Sequence, residues 1–355
     1  MKWAQVVPDI CPRELDFGYL MKFVSRSLTR FVASTKNYET ILIGGSGTAA
    51  VESVISSVSA DKAILIINNG AYGKRMLEIA QAYGINAIEF VQSPVEPINT
   101  ESLSILLEQR SSEISHIAVV HNETTTGLLN PIELIGAICR KFGIEMIVDA
   151  MSSFGAVPIQ MEEMNISYLI ASSNKNLQGM AGVGFIIANK QSLTSLRDIP
   201  PKNFYLNLYQ NYKYFLDNHQ MRFTPPVQTL YALREAIIET MEETIPGRYE
   251  RYSGMWKKLI EGLKKLGLAF LVEEQYHSKI ITSIVEPQLP GYCFEDMHDY
   301  LFANGFTIYP GKLHGKNTFR IANIGAINEQ DISNFLMLLE TYLGGVSGEN
   351  IERIH

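Results

Sequence analysis

The chain has 355 residues, 46% of them hydrophobic and 19% charged, with a formal net charge of −7 at pH 7. That length is enough for a large core and two domains, and the balance of apolar and charged residues is that of an ordinary folded globular chain. The surplus of carboxylates, with no long Lys/Arg run to offset it, argues against nucleic acid and acidic membrane as partners, so any anionic ligand must be held by local charges.

The opening segment MKWAQVVPDICPRELDF reaches Asp9 too early for a signal-peptide apolar region, and no apolar run approaches membrane-spanning length, so neither secretion nor membrane insertion is expected. Cys11, Cys139 and Cys293 are few, odd in number and widely spaced, which favours reduced thiols in a cytoplasmic compartment over a disulfide framework. The first 40 residues are mostly helical in pattern, as in ELDFGYLMKFVSRSLTRFVAS, and are expected to pack on the large domain or on a partner subunit.

From residue 41 to about 190, short β-branched runs alternate with helix-like segments: ILIGG, AILIINNG, AIEFV, HIAVVH, MIVDA, YLIASS and VGFIIANK. This alternation predicts an α/β fold, a mostly parallel sheet sandwiched by helices. Ligands of such folds gather at the strand C-terminal ends, where Ser46, Asn68, Thr124, Asp149 and Lys175 fall. Residues 191–227 read as an irregular, aromatic connecting segment broken by Pro200, Pro201, Pro225 and Pro226. Helical patterns follow at about 228–243 and 248–267, then strands around LAFLVEE, KIITSIV, FTIYPG and TFRIANIG. A last helix starts near Asn328, which with Asp331 resembles a capping box. The expected organisation is a large α/β domain over 1–227, including the N-terminal helical segment, and a smaller α+β domain over 228–355.

Chemistry concentrates at three of these strand ends. Lys175 lies just past one strand in YLIASSNKNLQG, and Asp149 ends another in MIVDAMSSFG. A lysine amine forms an imine with an aldehyde, and a buried carboxylate keeps a pyridine nitrogen protonated; pyridoxal 5′-phosphate (PLP) needs both. The stretch ILIGGSGTAAVESV supplies a phosphate cradle: Gly44 and Gly45 close a strand, and Ser46, Gly47 and Thr48 open a helix whose first N–H groups point at an anion.

Together GGSGTAAVE, NNGAYGKRM, VVHNETTTGLLNPI, VDAMSSFG, SSNKNLQG, RFTPPVQT, IYPGK and FRIANIG resemble class V, fold-type I PLP-dependent aminotransferases, in order from about Trp3 to the last helix. Within that class the motifs are nearest to members acting on 2-aminoethylphosphonate and pyruvate. The resemblance implies that Lys175 holds the internal aldimine and serves as general acid/base, and that Asp149 pairs with the pyridinium nitrogen. It places Tyr72 on the ring, Ser46, Gly47, Thr48 and Asn174 on the phosphate, and Thr124 at the ring hydroxyl. Thr224 in RFTPP matches a threonine that reaches the neighbouring subunit's phosphate, implying a homodimer with shared sites. Arg320 matches the arginine that clamps the substrate carboxylate. Expected substrates are a small amine and a 2-oxo acid; alanine:glyoxylate and serine:pyruvate exchange need the same parts and stay open. Relatives usually begin with a Pro-Gly-Pro type loop beside the active site, and this chain starts after its place. That reads as a shortened chain or a misassigned start, with wall contacts near the substrate missing.

Blander roles compete for each residue taken alone: a solvated lysine, a strand-end carboxylate, turn hydroxyls for Thr124 and Thr224, loop packing for Tyr72, and an ion-pair partner for Arg320. From another class, Gly45, Gly47 and Ala50 fit G-x-G-x-x-A of nucleotide-dependent oxidoreductases. The next strand, however, ends in Asn68 and Asn69 where a ribose-binding acid is wanted. A PLP-fold protein that binds ligand without turnover is a third reading. The histidines, His314 among them, show no paired metal spacing, so no metal is expected. Cys293 loosely matches the sulfur-accepting cysteine of related desulfurases, but those stack a histidine where this chain has Tyr72, which favours a structural thiol.

Overall fold

The β-branched runs become strands of one sheet in the computed structural model, which describes residues 1–8, 10–58, 61–313 and 316–347; His314 lies outside them. The strands in chain order are β1 (Tyr38–Gly44), β2 (Ala63–Asn68), β3 (Ala87–Val91), β4 (Ile114–Val120), the two short pieces β5 (Asn122–Glu123) and β6 (Leu128–Leu129), β7 (Glu145–Asp149), β8 (Tyr168–Ser172) and β9 (Val183–Asn189). The seven-stranded sheet has the order β1-β9-β8-β7-β4-β2-β3. Strands β8, β7, β4, β2 and β3 pair in parallel, while β9 runs antiparallel to both β8 and β1. Helices α1 (Leu15–Arg30), α2 (Gly47–Val58), α3 (Ala71–Ala82), α4 (Thr100–Arg110), α5 (Ile132–Phe142), α6 (Lys190–Ser195), α7 (Leu208–Asn218) and α8 (Val227–Glu243) accompany it.

Both faces of the sheet are buried, which is why its strands are apolar without alternation. Leu65 and Ile67 enter one core cluster, with Phe17 and Leu28 of α1 and Ile135 of α5. Their neighbours Ile64 and Ile66 enter the other, with Val54 and Ile55 of α2 and Met76 of α3. Each such side chain contributes roughly 1.5–3 kcal/mol by leaving water. A sheet held this firmly fixes where its strand ends project.

The chain divides into two compact units: residues 1–123 with 130–246, and residues 124–129 with those from 247 onward. The second contains α9 (Ile245–Lys265) from Gly247 on, β10 (Ile281–Val285), α10 (Phe294–Ala303), β11 (Tyr309–Leu313), β12 (Lys316–Ala322) and α11 (Glu329–Ser347), with an antiparallel sheet of order β10-β12-β11. Within this unit Leu128 bridges His277, and the Ser278 N–H donates to the Gly127 carbonyl at 2.8 Å. The capping box is formed: the Asn328 N–H donates to Asp331 Oδ2 at 2.8 Å, and the Asp331 N–H to Asn328 Oδ1 at 3.3 Å.

Two local readings change. The segment 191–227 is not irregular throughout; α7 runs for 11 residues inside it, buries Leu208, Tyr212 and Phe215, and is capped by Asn207, whose Oδ1 accepts from the Gln210 N–H at 2.8 Å. LAFLVEE forms no strand but a single bridge, Phe270 to Ile284, because residues 271 onward turn away after the Leu271 N–H reaches the Ser283 carbonyl. Among the described residues, no helix is long and apolar enough to cross a membrane.

Candidate active site

In the first unit, strand ends bring the phosphate cradle and the lysine loop together through β9. Gly44 pairs with Val183 and Ser172 with Gly184, so the loops after β1 and β8 flank the start of one strand. The Gly45 N–H donates to the Gly182 carbonyl at 2.9 Å, closing the turn that leads into α2. Ser46 is exposed immediately before the helix, and Gly47 and Thr48 form its first turn. A Cβ at Gly47 would collide with the Met151 sulfur, so a side chain here would fill the cradle or push Met151 away. Free N–H groups at a helix start, with two hydroxyls, suit a phosphate.

Asp149 ends β7 and is buried. Burial pushes its carboxyl up to about 6, against the Met151 N–H and the charges of Arg75 and Lys175, which pull it down. The Met151 N–H donates to Asp149 Oδ1 at 2.9 Å. Above that value an anion is held with one N–H and two side-chain cations as its compensation among the described residues, an environment that suits a cationic partner.

Lys175 is exposed in the loop after β8. The loop is tightly braced: the Gly179 N–H donates to the Ser173 carbonyl and the Gln178 N–H to the Lys175 carbonyl, both at 2.8 Å. Asn176 is buried, and its Nδ2 donates to the Ser152 carbonyl at 2.8 Å, tying the lysine loop to the loop that follows Asp149. Asn174 Oδ1 accepts from the Ser172 hydroxyl at 3.0 Å. Replacing Asn176 by Ala should cost roughly 0.5–1.5 kcal/mol, the net range for one hydrogen bond to a partly buried carbonyl; urea unfolding of the full chain checks this, and an unchanged midpoint would discount the brace.

Tyr72 lies in the first turn of α3, half-buried, with its N–H 3.4 Å from Glu123 Oε2. Gly73 lets that turn approach β2 closely, since a Cβ there would sit 2.6 Å from the Ile67 carbonyl oxygen. Thr224 is exposed, in a segment that reaches the cradle nearby: Pro226 Cδ would lie 3.9 Å from a Cβ at Gly44, and Tyr205, stacked on Phe223 at 4.7 Å, donates its hydroxyl to the Gly44 carbonyl at 3.2 Å.

Thr124 and Arg320 belong to the second unit. Arg320 pairs across the small sheet with Ser283 and Tyr309. One Nη donates to the Thr124 carbonyl at 3.3 Å and the other to the Pro310 carbonyl at 3.5 Å, while its buried Nε–H has no partner among the described residues.

Several residues around Asp149 lie within the quoted motifs but have no role assigned to them there. His121 is buried, its ring Nδ1 2.9 Å from the Ser153 hydroxyl, and burial drives its pKa down to about 3, so it is neutral at pH 7. Its backbone N–H donates to the Asp149 carbonyl at 2.9 Å. Ser152 gives its hydroxyl to the Asn122 carbonyl at 3.0 Å. The packing that fixes these side chains is nonlocal: His121 meets Ser153, and Ser152 meets Asn122.

A buried strand-end carboxylate, a braced lysine and a glycine turn opening a helix are features that suit PLP, and the family model for class-V aminotransferases matches residues 14–315; the chain belongs to that family. Its cofactor is PLP, and the donor set above fits it. The chain is 37% identical, over 94% of its length and 91% of the relative's, to a 2-aminoethylphosphonate–pyruvate transaminase of Salmonella schwarzengrund. Among solved structures it superimposes on an alanine–glyoxylate aminotransferase from Nostoc sp. with a TM-score of 0.88 and 26% identity, covering 96% of this chain and 90% of that one. On ureidoglycine–glyoxylate aminotransferase from Bacillus subtilis the TM-score is 0.87, at 25% identity and 97% and 89% coverage.

Proposed function

We propose that this chain moves the amine of 2-aminoethylphosphonate to pyruvate, giving phosphonoacetaldehyde and L-alanine. The observation that carries the substrate choice is the 37% identity spread over 94% of the chain. When bound, PLP supplies an electrophilic aldehyde carbon and a ring that withdraws electrons.

The chain's own residues would do the rest. The Lys175 amine would hold the cofactor through that carbon and, once freed from it, would take and return the proton of the substrate's amine-bearing carbon. Asp149 keeps the ring nitrogen protonated. Ser46, Gly47 and Thr48 at the start of α2, with Asn174 and a partner subunit's copy of Thr224, would hold the phosphate; Tyr72 would back the ring and Thr124 would serve its hydroxyl. The unpartnered Nε–H of Arg320, with an adjacent Nη–H, offers a two-pronged grip on a carboxylate or phosphonate. We place the enzyme as a homodimer in the cytoplasm, consistent with three free cysteines, of which Cys139 is buried. No role for membrane or nucleic acid is proposed.

The test is the visible spectrum of the PLP-loaded chain. The band of lysine-bound cofactor should bleach with 2-aminoethylphosphonate and with alanine, but not with serine. A band that answers only to other amines would remove the phosphonate. Replacing Arg320 by Ala should lower kcat/KM for pyruvate by about 30- to 5000-fold, the range for removing one member of a desolvated charge pair; steady-state kinetics decides it.

A further inference from the structure

We propose that Arg75 is a positioning residue for the cofactor ring: its guanidinium backs one face of Tyr72 and holds the other face ready to stack. The inference rests on Tyr72 being the stacking residue of the PLP site proposed above.

Three observations carry it. Arg75 lies three residues after Tyr72 on α3, a spacing that puts both side chains on one face of the helix, and its Cζ sits 5.0 Å from the Tyr72 ring centroid. No carboxylate among the described residues pairs with Arg75, whereas the adjacent Lys74 is 4.0 Å from Glu78 on the same helix. With no carboxylate at salt-bridge distance among the described residues to draw it off, the exposed guanidinium keeps its place on the ring. Its charge also acts on Asp149, lowering the carboxyl that burial raises. A single cation therefore serves the stacking residue and the anion meant for the ring nitrogen. Holding Tyr72 before the cofactor arrives removes an ordering cost from binding.

The experiment measures PLP affinity of the full chain by titration, for the unsubstituted protein, Arg75→Gln, Arg75→Lys, Tyr72→Leu and the double variant Arg75→Gln/Tyr72→Leu. Thermal melting without PLP verifies that each variant is folded. Arg75→Gln should weaken PLP binding roughly 3- to 30-fold, the span of cation–π energies from exposed to desolvated settings. Arg75→Lys, which keeps a cation over the ring, should recover most of that loss. In the double variant the Arg75 loss should be smaller than in Arg75→Gln alone, because the part that acts through Tyr72 is gone and only the effect of its charge on Asp149 remains. Unchanged affinity in Arg75→Gln, or losses that multiply fully in the double variant, would overturn the inference while leaving the PLP site standing. Failure of the unsubstituted chain to bind PLP would instead remove the site itself.

Discussion

Replacing Lys175 by Ala is expected to abolish turnover while leaving the fold intact. The lysine is asked to do two things at once: hold the cofactor through its aldehyde carbon and carry a proton during the exchange. A positioned general acid/base alone is worth about 100- to 10,000-fold, and the covalent hold adds to it. A loss of at least about 10,000-fold in kcat is therefore expected. Stability should change by no more than about 0.5 kcal/mol, because the Lys175 side chain is exposed and its loop is closed by the backbone bond from Gly179 to Ser173 rather than by the amine. Circular dichroism melting and steady-state rates separate the two effects. Near-normal activity in Lys175→Ala would sink the catalytic assignment, and a collapsed melt would show that the lysine is structural.

The strands were legible because burial on both sheet faces demands continuous β-branched runs, and each quoted run from ILIGG to VGFIIANK became a strand. Their neighbours were not. Nothing local in VGFIIANK says that it inserts between β1 and β8 and reverses direction, yet that insertion is what brings Gly45 to Gly182 and the cradle to the lysine loop. Helix α7 was hidden by its aromatic composition and by prolines on both sides, although Asn207 stood at its start as a capping residue. At the site, Lys175 and Asp149 announced themselves through chemistry at strand ends. Asn176, His121 and Arg75 did not, since an amide bonded to the loop of another strand, a histidine neutralised by burial and an arginine on a tyrosine are defined by their neighbours in the folded chain.

Asp149→Asn should make the cofactor-free chain more stable at neutral pH and nearly inactive. The Asp149 carboxyl is raised from 3.8 to about 6 in the folded chain by desolvation. Well below the unfolded value of 3.8 it is protonated whether the chain is folded or not, and burial then carries no ionisation penalty. As pH rises from there through the folded value, the unfolded chain gains the free energy of ionising first, so stability falls, by about 3 kcal/mol for a shift of about two units. Asparagine never ionises and escapes that loss. Urea unfolding without PLP should therefore find Asp149→Asn more stable than the unsubstituted chain above the folded value of about 6, with the gap closing as pH falls towards 3.8. Adding PLP should reverse the order, because a protonated ring nitrogen compensates the aspartate and gains much less from a neutral amide. If Asp149→Asn is the less stable chain in mildly alkaline buffer without PLP, the carboxylate is not held at a cost, and its burial serves the fold instead of the cofactor. The expected reversal marks a residue kept against the stability of its own chain for the charge that it offers the ring.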